Sequence, residues 1–244
     1  MDISLNKYIS ETGFCSRREA DQLIEAGRVA INEKVARKGN RVLENDTVKI
    51  DGQLLKNKTI PVYLMLNKPK GITCTTDLKD KSNIIDFISF KSRIFPVGRL
   101  DKLSEGLIFL TNDGDIVNKI LRAGNGHEKE YVVSVDRPVT ADFIKKMGSG
   151  VPILGVVTRK CFVKQEGEKQ FRIILTQGLN RQIRRMCAVL GYKVTSLTRV
   201  RIMNITLSGL AKGKWRFFTP KEIAEVNKMI ANSSKVAGEE GMGE

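Results

Sequence analysis

The run Leu107-Ile108-Phe109-Leu110 constrains this chain more than any other stretch. Four consecutive apolar residues, ended by the turn sequence Asn112-Asp113-Gly114, predict a buried strand. Directly before it lies P-V-G-R-L-D-K-L-S-E-G, residues 96–106, a polar segment punctuated by glycine, with Asp101 between Arg99 and Lys102. A rigid strand beside such a loop is a common way to hold a reactive side chain. The plainer alternative is that Asp101 pairs with Arg99 in a solvated loop.

Strand and helix patterns elsewhere set the fold class. V-Y-L-M-L-N-K-P-K-G predicts a strand stopped by Pro69 and Gly71, and 84–88 a short helix. Asp115 opens a helix bearing Ile116, Val117, Ile120 and Leu121. Strands are expected at 129–135, 156–163 and 171–176, with a helix at 140–148. N-R-Q-I-R-R-M-C-A-V-L-G (180–191) places Ile183, Met186, Cys187 and Leu190 at helical spacing. Strands near 194–207 and 214–218 and a helix from Pro220 to Ile230 follow. Strands do not alternate strictly with helices, so a mixed, largely antiparallel α+β sheet is expected. The end, V-A-G-E-E-G-M-G-E, reads as disordered from residue 233 to 244.

Charge points to the partner. The formal net charge of +15 is uneven: residues 1–58 hold 11 Lys/Arg against 9 Asp/Glu, and residues 59–230 hold 30 against 15. Within 159–201 there are 11 basic and 2 acidic residues. Such a field favours a polyanion, most simply nucleic acid. No apolar run approaches the ~18 residues of a membrane span. The N-terminal M-D-I-S-L-N-K-Y lacks a signal-peptide core, so a cytoplasmic location is expected. Four cysteines without a C-x-x-C pair fit reduced, packed thiols, and a single histidine excludes a multi-histidine metal site. Chemistry must fall to carboxylates, Tyr, Lys, Arg or Cys. Cys187, in an apolar helical stripe, is a poor nucleophile. No hydrophobic interface helix stands out, so a monomer is expected.

The first 58 residues form their own pattern. Ser4 can cap a short helix carrying Leu5, Tyr8 and Ile9, ended by Gly13. Ser16 and Glu19 spell a capping box for a second helix, stopped by Gly27. Short alternating strands follow, and L-L-K-N-K-T-I-P (54–61) reads as a linker. Arg17 and Arg18 fall in the first turn of the second helix, where the macrodipole disfavours cations, so their placement asks for an external anion. Lys7 and Arg28 extend that basic patch. The stretch resembles an S4 RNA-binding domain through L-N-K-Y-I, G-F-C-S-R-R-E-A and G-R-V-A-I-N, departing at Glu33, where many members carry glycine.

With a basic α+β domain behind such a module, G-R-L-D-K-L-S-E-G-L-I-F-L-T-N-D-G becomes specific. It resembles the active-site motif of the RsuA/RluB/RluE/RluF-type pseudouridine synthases. L-N-K-P-K-G (66–71), H-E-K-E-Y (127–131) and G-L-N-R-Q-I-R-R-M (178–186) agree, in the family's order of S4 domain then catalytic domain, here 1–58 and 59–232. I-L-R-A-G-N-G-H-E-K-E-Y and G-V-P-I-L-G look closest to the RluF branch, which modifies a stem-loop of large-subunit ribosomal RNA. The resemblance implies a site-specific uridine-to-pseudouridine isomerase acting on large-subunit (23S) ribosomal RNA by base flipping, with no metal or cofactor. It implies Asp101 as nucleophile, Tyr131 stacked on the uracil and helping to move a proton, and Arg184 pairing with the aspartate. Arg99, Leu100 and Lys102 around the aspartate, and Asn180, Arg181, Gln182, Ile183 and Arg185 around the helix start, become candidate RNA contacts. The acylal, glycal and base-addition routes at Asp101 stay open.

Two other readings compete. A non-catalytic S4-type, ribosome-associated RNA-binding factor would have no need of an intact Asp, Tyr and Arg set. An S4-fused methyltransferase would need a glycine-rich loop between a strand and a helix, and G-N-G at 124–126 instead follows a helix.

Overall fold

The computed structural model describes residues 2–55 and 59–233. The chain separates into two compact units, one of residues 1–62 with 91–93 and 112–114, the other containing the remainder. Of the disorder expected from 233 to 244, residues 234–244 lie outside the described residues, as does 56–58 of the expected linker, while Ser233 N donates to Ile230 O at 3.0 Å.

The first unit contains β1 (Ile3–Ser4), α1 (Leu5–Glu11), α2 (Arg17–Glu25), β2 (Val29–Ile31), β3 (Lys34–Val35), β4 (Arg41–Val42), β5 (Val48–Ile50) and β6 (Gln53–Leu54). Four of these strands pair in the order β3-β2-β5-β6, and β1 pairs with β4. Ser16 caps α2 as the sequence predicts: its hydroxyl accepts from Glu19 N at 3.2 Å while Glu19 Oε2 accepts from Ser16 N at 2.7 Å. Ser4 sits at the α1 N-cap, but its side chain accepts no capping hydrogen bond. Leu5, Ile9, Ala20, Ile24, Val29, Val42, Val48 and Ile50 form the core. The turn between β2 and β3 puts both Asn32 (φ +48°) and Glu33 (φ +65°) in the left-handed region, where glycine would be favoured at the second position. The linker starts later than expected, because Leu54 pairs in β6 and Leu55 N donates to Val48 O.

The second unit is built on one nine-stranded sheet. Its elements are β7 (Tyr63–Lys68), α3 (Ile84–Ile88), β8 (Phe95–Val97), β9 (Glu105–Thr111), α4 (Gly114–Leu121), β10 (Lys129–Val135) and α5 (Ala141–Ser149). There follow β11 (Pro152–Ile153), β12 (Val156–Val157), β13 (Phe162–Gly167), β14 (Gln170–Leu175), α6 (Gln182–Val189), β15 (Val194–Ile202), β16 (Ile205–Thr206), β17 (Trp215–Phe217) and α7 (Pro220–Ile230). The sheet runs β13-β14-β10-β15-β9-β7-β17, with β16 on β15 and β8 on β9. Every pairing is antiparallel except β15 with β9, so the sheet is mixed and largely antiparallel, as expected.

β9 is the buried strand that the apolar run predicts. Leu107 and Phe109 face a core with Met65, Val97, Ile116, Ile120, Ile202 and Val226, while Ile108 and Leu110, on the opposite face, are fully buried as well. A second core joins Val133, Phe143, Met147, Phe171, Ile173, Met186 and Leu197. Three expected elements are corrected. The strand expected at 156–163 is two, β12 and β13; that at 194–207 folds back at Met203 (φ +53°) into β15 and β16. The helix expected at 180–191 starts at Gln182, because Arg181 is left-handed at φ +51° and cannot continue the turn upstream.

Candidate active site

Asp101 lies between β8 and β9, in a loop leading into the strand rather than on the strand itself. The loop is pinned at several points. Ser104 N donates to Asp101 O at 2.9 Å, closing a tight turn, and Leu100 N donates to Cys74 Sγ at 3.4 Å. Gly71 N donates to Lys102 O at 2.8 Å. Lys68, at the end of β7, is fully buried, and its Nζ donates to the carbonyls of Pro69 (3.0 Å), Ile72 (2.9 Å) and Lys102 (3.5 Å). Burial pushes the Lys68 ammonium below the ordinary lysine range. Three carbonyl acceptors still satisfy its donors, so it acts as a buried clamp between the 69–72 turn and the Asp101 loop. The L-N-K-P-K-G segment therefore shapes the loop that carries the aspartate. Sequence reasoning noted the segment without seeing that role.

Helix α6 and the residue that precedes it supply two arginines. Arg184 Nε and Arg181 Nη1 each lie 3.5 Å from Asp101 Oδ2. Arg184 also donates from Nη2 to Ser104 Oγ at 3.2 Å, so one guanidinium grips the loop at two points. Arg185 turns elsewhere: its Nε and Nη2 donate to the backbone and side-chain oxygens of Asn180 at 3.0 and 3.2 Å. The approach of Arg181 to Asp101 was not foreseen. Its left-handed backbone, which delays the start of the helix to Gln182, goes with that placement.

Tyr131 is half-buried on β10 and shares with Asp101, Arg181 and Arg184 a cleft of about 610 Å³ that lies wholly within the second unit. That volume suits a small-molecule-sized group such as a flipped nucleoside. Arg99, Lys102, Asn180 and Gln182 line the same cleft. Leu100 and Ile183 do too, but both are buried and offer it only apolar wall. Burial pushes the Cys187 thiol up to about 12, so it stays protonated and inert, as its place in the helical stripe suggests. Cys74, against the Asp101 loop, is likewise pushed up by burial. Among the described residues, no group of three or more His, Cys, Asp or Glu could hold a metal ion.

The other predicted contacts lie in the first unit. Arg17 and Arg18 are exposed in the first turn of α2. Lys7 lies 3.4 Å from Glu11, one turn along α1. Arg28 is held by Asp51 through Nε and Nη2, at 2.9 and 2.6 Å, although its side chain stays half exposed.

The RNA pseudouridylate synthase family model matches residues 62–189, and the S4 domain model residues 4–48. The dual-specificity RNA pseudouridine synthase RluF of Salmonella typhi is 58% identical over 235 residues, covering 96% of this chain and 81% of that protein. The ribosomal large subunit pseudouridine synthase B of Bacillus subtilis is 34% identical over 242 residues, covering 96% of this chain and 98% of that one. A crystal structure of a pseudouridylate synthase superposes with a TM-score of 0.66 at 27% identity, covering 93% of this chain and 99% of that one. A family model matching more than half of the chain, and relatives spanning nearly all of it, show that the chain belongs to the RNA pseudouridylate synthases, with an S4 domain ahead of the catalytic fold.

Proposed function

We propose that the chain isomerises a specific uridine to pseudouridine in a stem-loop of large-subunit ribosomal RNA, acting as a monomer in the cytoplasm. One observation carries the assignment of roles: Asp101 Oδ2 lies within 3.5 Å of both Arg181 and Arg184 on a cleft shared with Tyr131. A carboxylate so held can meet an electron-poor C1′ as in glycosidase chemistry, and the two guanidiniums aim it. The target uridine leaves its stack and enters the cleft, at a cost of a few kcal/mol, less in a loop than in a helix. Tyr131 stacks on the uracil and helps to move a proton. The N1–C1′ bond breaks, the base turns, and C5 joins C1′.

Arg99, Lys102, Asn180, Arg181 and Gln182 line the cleft and contact the backbone or the flipped base, with Leu100 and Ile183 as apolar wall, while Arg185, folded onto Asn180 away from the cleft, meets RNA backbone. Lys7, Arg17, Arg18 and Arg28 of a domain spanning 1–58 bind RNA outside the cleft, and residues 59–232 carry the chemistry. No cofactor enters this scheme.

Asp101→Asn tests the reading, since the amide keeps the shape and loses the nucleophilic charge. Tritium release from C5-labelled uridine RNA should fall by at least about 10³-fold, with RNA affinity largely kept. The Salmonella typhi relative is named a dual-specificity enzyme, so more than one RNA belongs in the assay. Turnover within about tenfold of wild type would remove Asp101 as nucleophile. Tight stem-loop binding by the wild-type chain with no tritium release would favour the non-catalytic S4-type factor instead.

A further inference from the structure

We propose that Lys129 and Arg199 form a cationic floor beneath Tyr131 that stabilises the negative charge on the uracil when its glycosidic bond breaks. The inference rests on the pseudouridine synthase reading above and adds two residues to it. Both side chains line the cleft, and both are buried, 6% and 3% exposed. The register of β10 on β15 sets Arg199 directly opposite Tyr131, and Lys129 lies two residues along the same face of β10. The three side chains therefore share one patch of sheet.

Among the described residues, neither cation has a carboxylate within ion-pair distance. Lys129 Nζ donates to a single backbone oxygen, His127 O, at 3.1 Å. Arg199 Nε donates to Leu107 O at 2.7 Å, while its buried Nη2 has no partner. The acidic residue between Lys129 and Tyr131 does not help: Glu130 faces the other side of the sheet, where Arg172 and Arg201 take both of its oxygens. Lys68 shows what a purely structural buried lysine looks like here, with three carbonyl acceptors. Two buried cations without counter-charge lower stability unless something else meets their field. An anion that forms only during the reaction meets that description.

The electron count supplies that anion. When N1–C1′ breaks, both bonding electrons remain on N1, and the uracil carries a negative charge shared with O2 and O4. C1′ becomes electron-poor and meets a carboxylate oxygen of Asp101. After the base turns, an electron pair at C5 forms the C5–C1′ bond and the carboxylate is released. C5 then loses its proton and N1 gains one, leaving an isomer with no net oxidation.

Burial, and then the neighbouring Arg199, lower the Lys129 ammonium to about 8. The groups that face it are Arg199 from β15 and His127 from the segment before β10, with the Tyr131 phenol along its own strand. A floor that works as a cation should therefore act below about pH 8 and fade above it.

The experiment compares single-turnover pseudouridine formation by wild type, Lys129→Met and Lys129→Arg, at saturating enzyme on the uridine stem-loop, across pH 8. Lys129→Met should slow the step by about 10²-fold at neutral pH while binding RNA within about threefold of wild type. The wild-type rate should fall as the pH rises through about 8, and Lys129→Arg, whose guanidinium keeps its charge, should hold its rate beyond that point. A Lys129→Met rate within about threefold of wild type, or the same alkaline fall in Lys129→Arg, overturns the proposal. If Lys129→Met does not fold, the alkaline limb of Lys129→Arg decides alone. Failure of the underlying reading looks different: the wild-type chain would then form no pseudouridine at all, which removes the floor together with the reaction.

Discussion

Arg184 and Arg185 are neighbours in α6, yet their guanidiniums go to different places, because successive side chains on a helix point about 100° apart. Arg184 reaches Asp101 and Ser104, and Arg185 folds onto Asn180. Arg184→Ala is therefore expected to cut the single-turnover rate by about 10²-fold or more, since the carboxylate loses one of its two orienting partners. Arg185→Ala should stay within about threefold in that assay and show its loss in RNA affinity and its salt dependence instead. Equal rates for the two variants would place the wrong arginine beside Asp101. Arg181 makes the finer case: its ion pair to Asp101 is half exposed, so Arg181→Ala should fall between the two.

The β9–β15 pair and helix α7 set limits that no single contact describes. β9 and β15 form the only parallel pair of the nine-stranded sheet among the described residues, and they meet at Gly106. A Cβ there would lie 2.2 Å from Arg199 O, and the residue has φ +103°, so only glycine lets the strands approach. Gly106→Ala should cost about 3–5 kcal/mol in denaturant unfolding and disturb the Asp101 loop that leads into β9. At the other end of the unit, α7 opens on a capping box in which the Thr219 hydroxyl accepts from Glu222 N. The Arg216 guanidinium, with help from Thr219, holds the Glu222 carboxyl down at about 2. That stability is fully present above the ordinary glutamate range and is lost as the pH falls through it towards about 2. Glu222→Gln should cost about 1–2 kcal/mol at neutral pH and flatten the acid limb of the unfolding profile.

Across the whole molecule, charge and chemistry are divided. The first 58 residues are nearly balanced, with 11 basic against 9 acidic, and the excess positive charge sits in the rest. The first unit nonetheless has its own core and exposed Arg17 and Arg18 at the start of α2. Deleting residues 1–58 is expected to weaken RNA binding and selectivity more than it slows the single-turnover step. The lost affinity should depend on salt, with a slope of ~0.7 for each phosphate contact removed from single-stranded RNA. A truncated chain that bound its stem-loop as tightly at every salt concentration would give the module another role.

Local rules made much of this protein readable in advance. The apolar run of β9, the Ser16–Glu19 box of α2 and the Pro220 start of α7 are encoded within a few residues, because capping, burial and turn chemistry act over that range. Asp101, Tyr131 and Arg184 could be named because the segments that carry them resemble the motifs of a known family, and the structure sets all three on one cleft. What sequence could not reveal depends on partners distant in the chain. The turn that splits the strand expected at 194–207, the left-handed Arg181 beside Asp101 and the three-carbonyl clamp of Lys68 all depend on which segment packs next to which. The burial of Lys129 and Arg199 without counter-charge is of the same kind. A lysine in H-E-K-E-Y looks solvated by its letters, and it is the pairing of β10 between β14 and β15 that removes it from water.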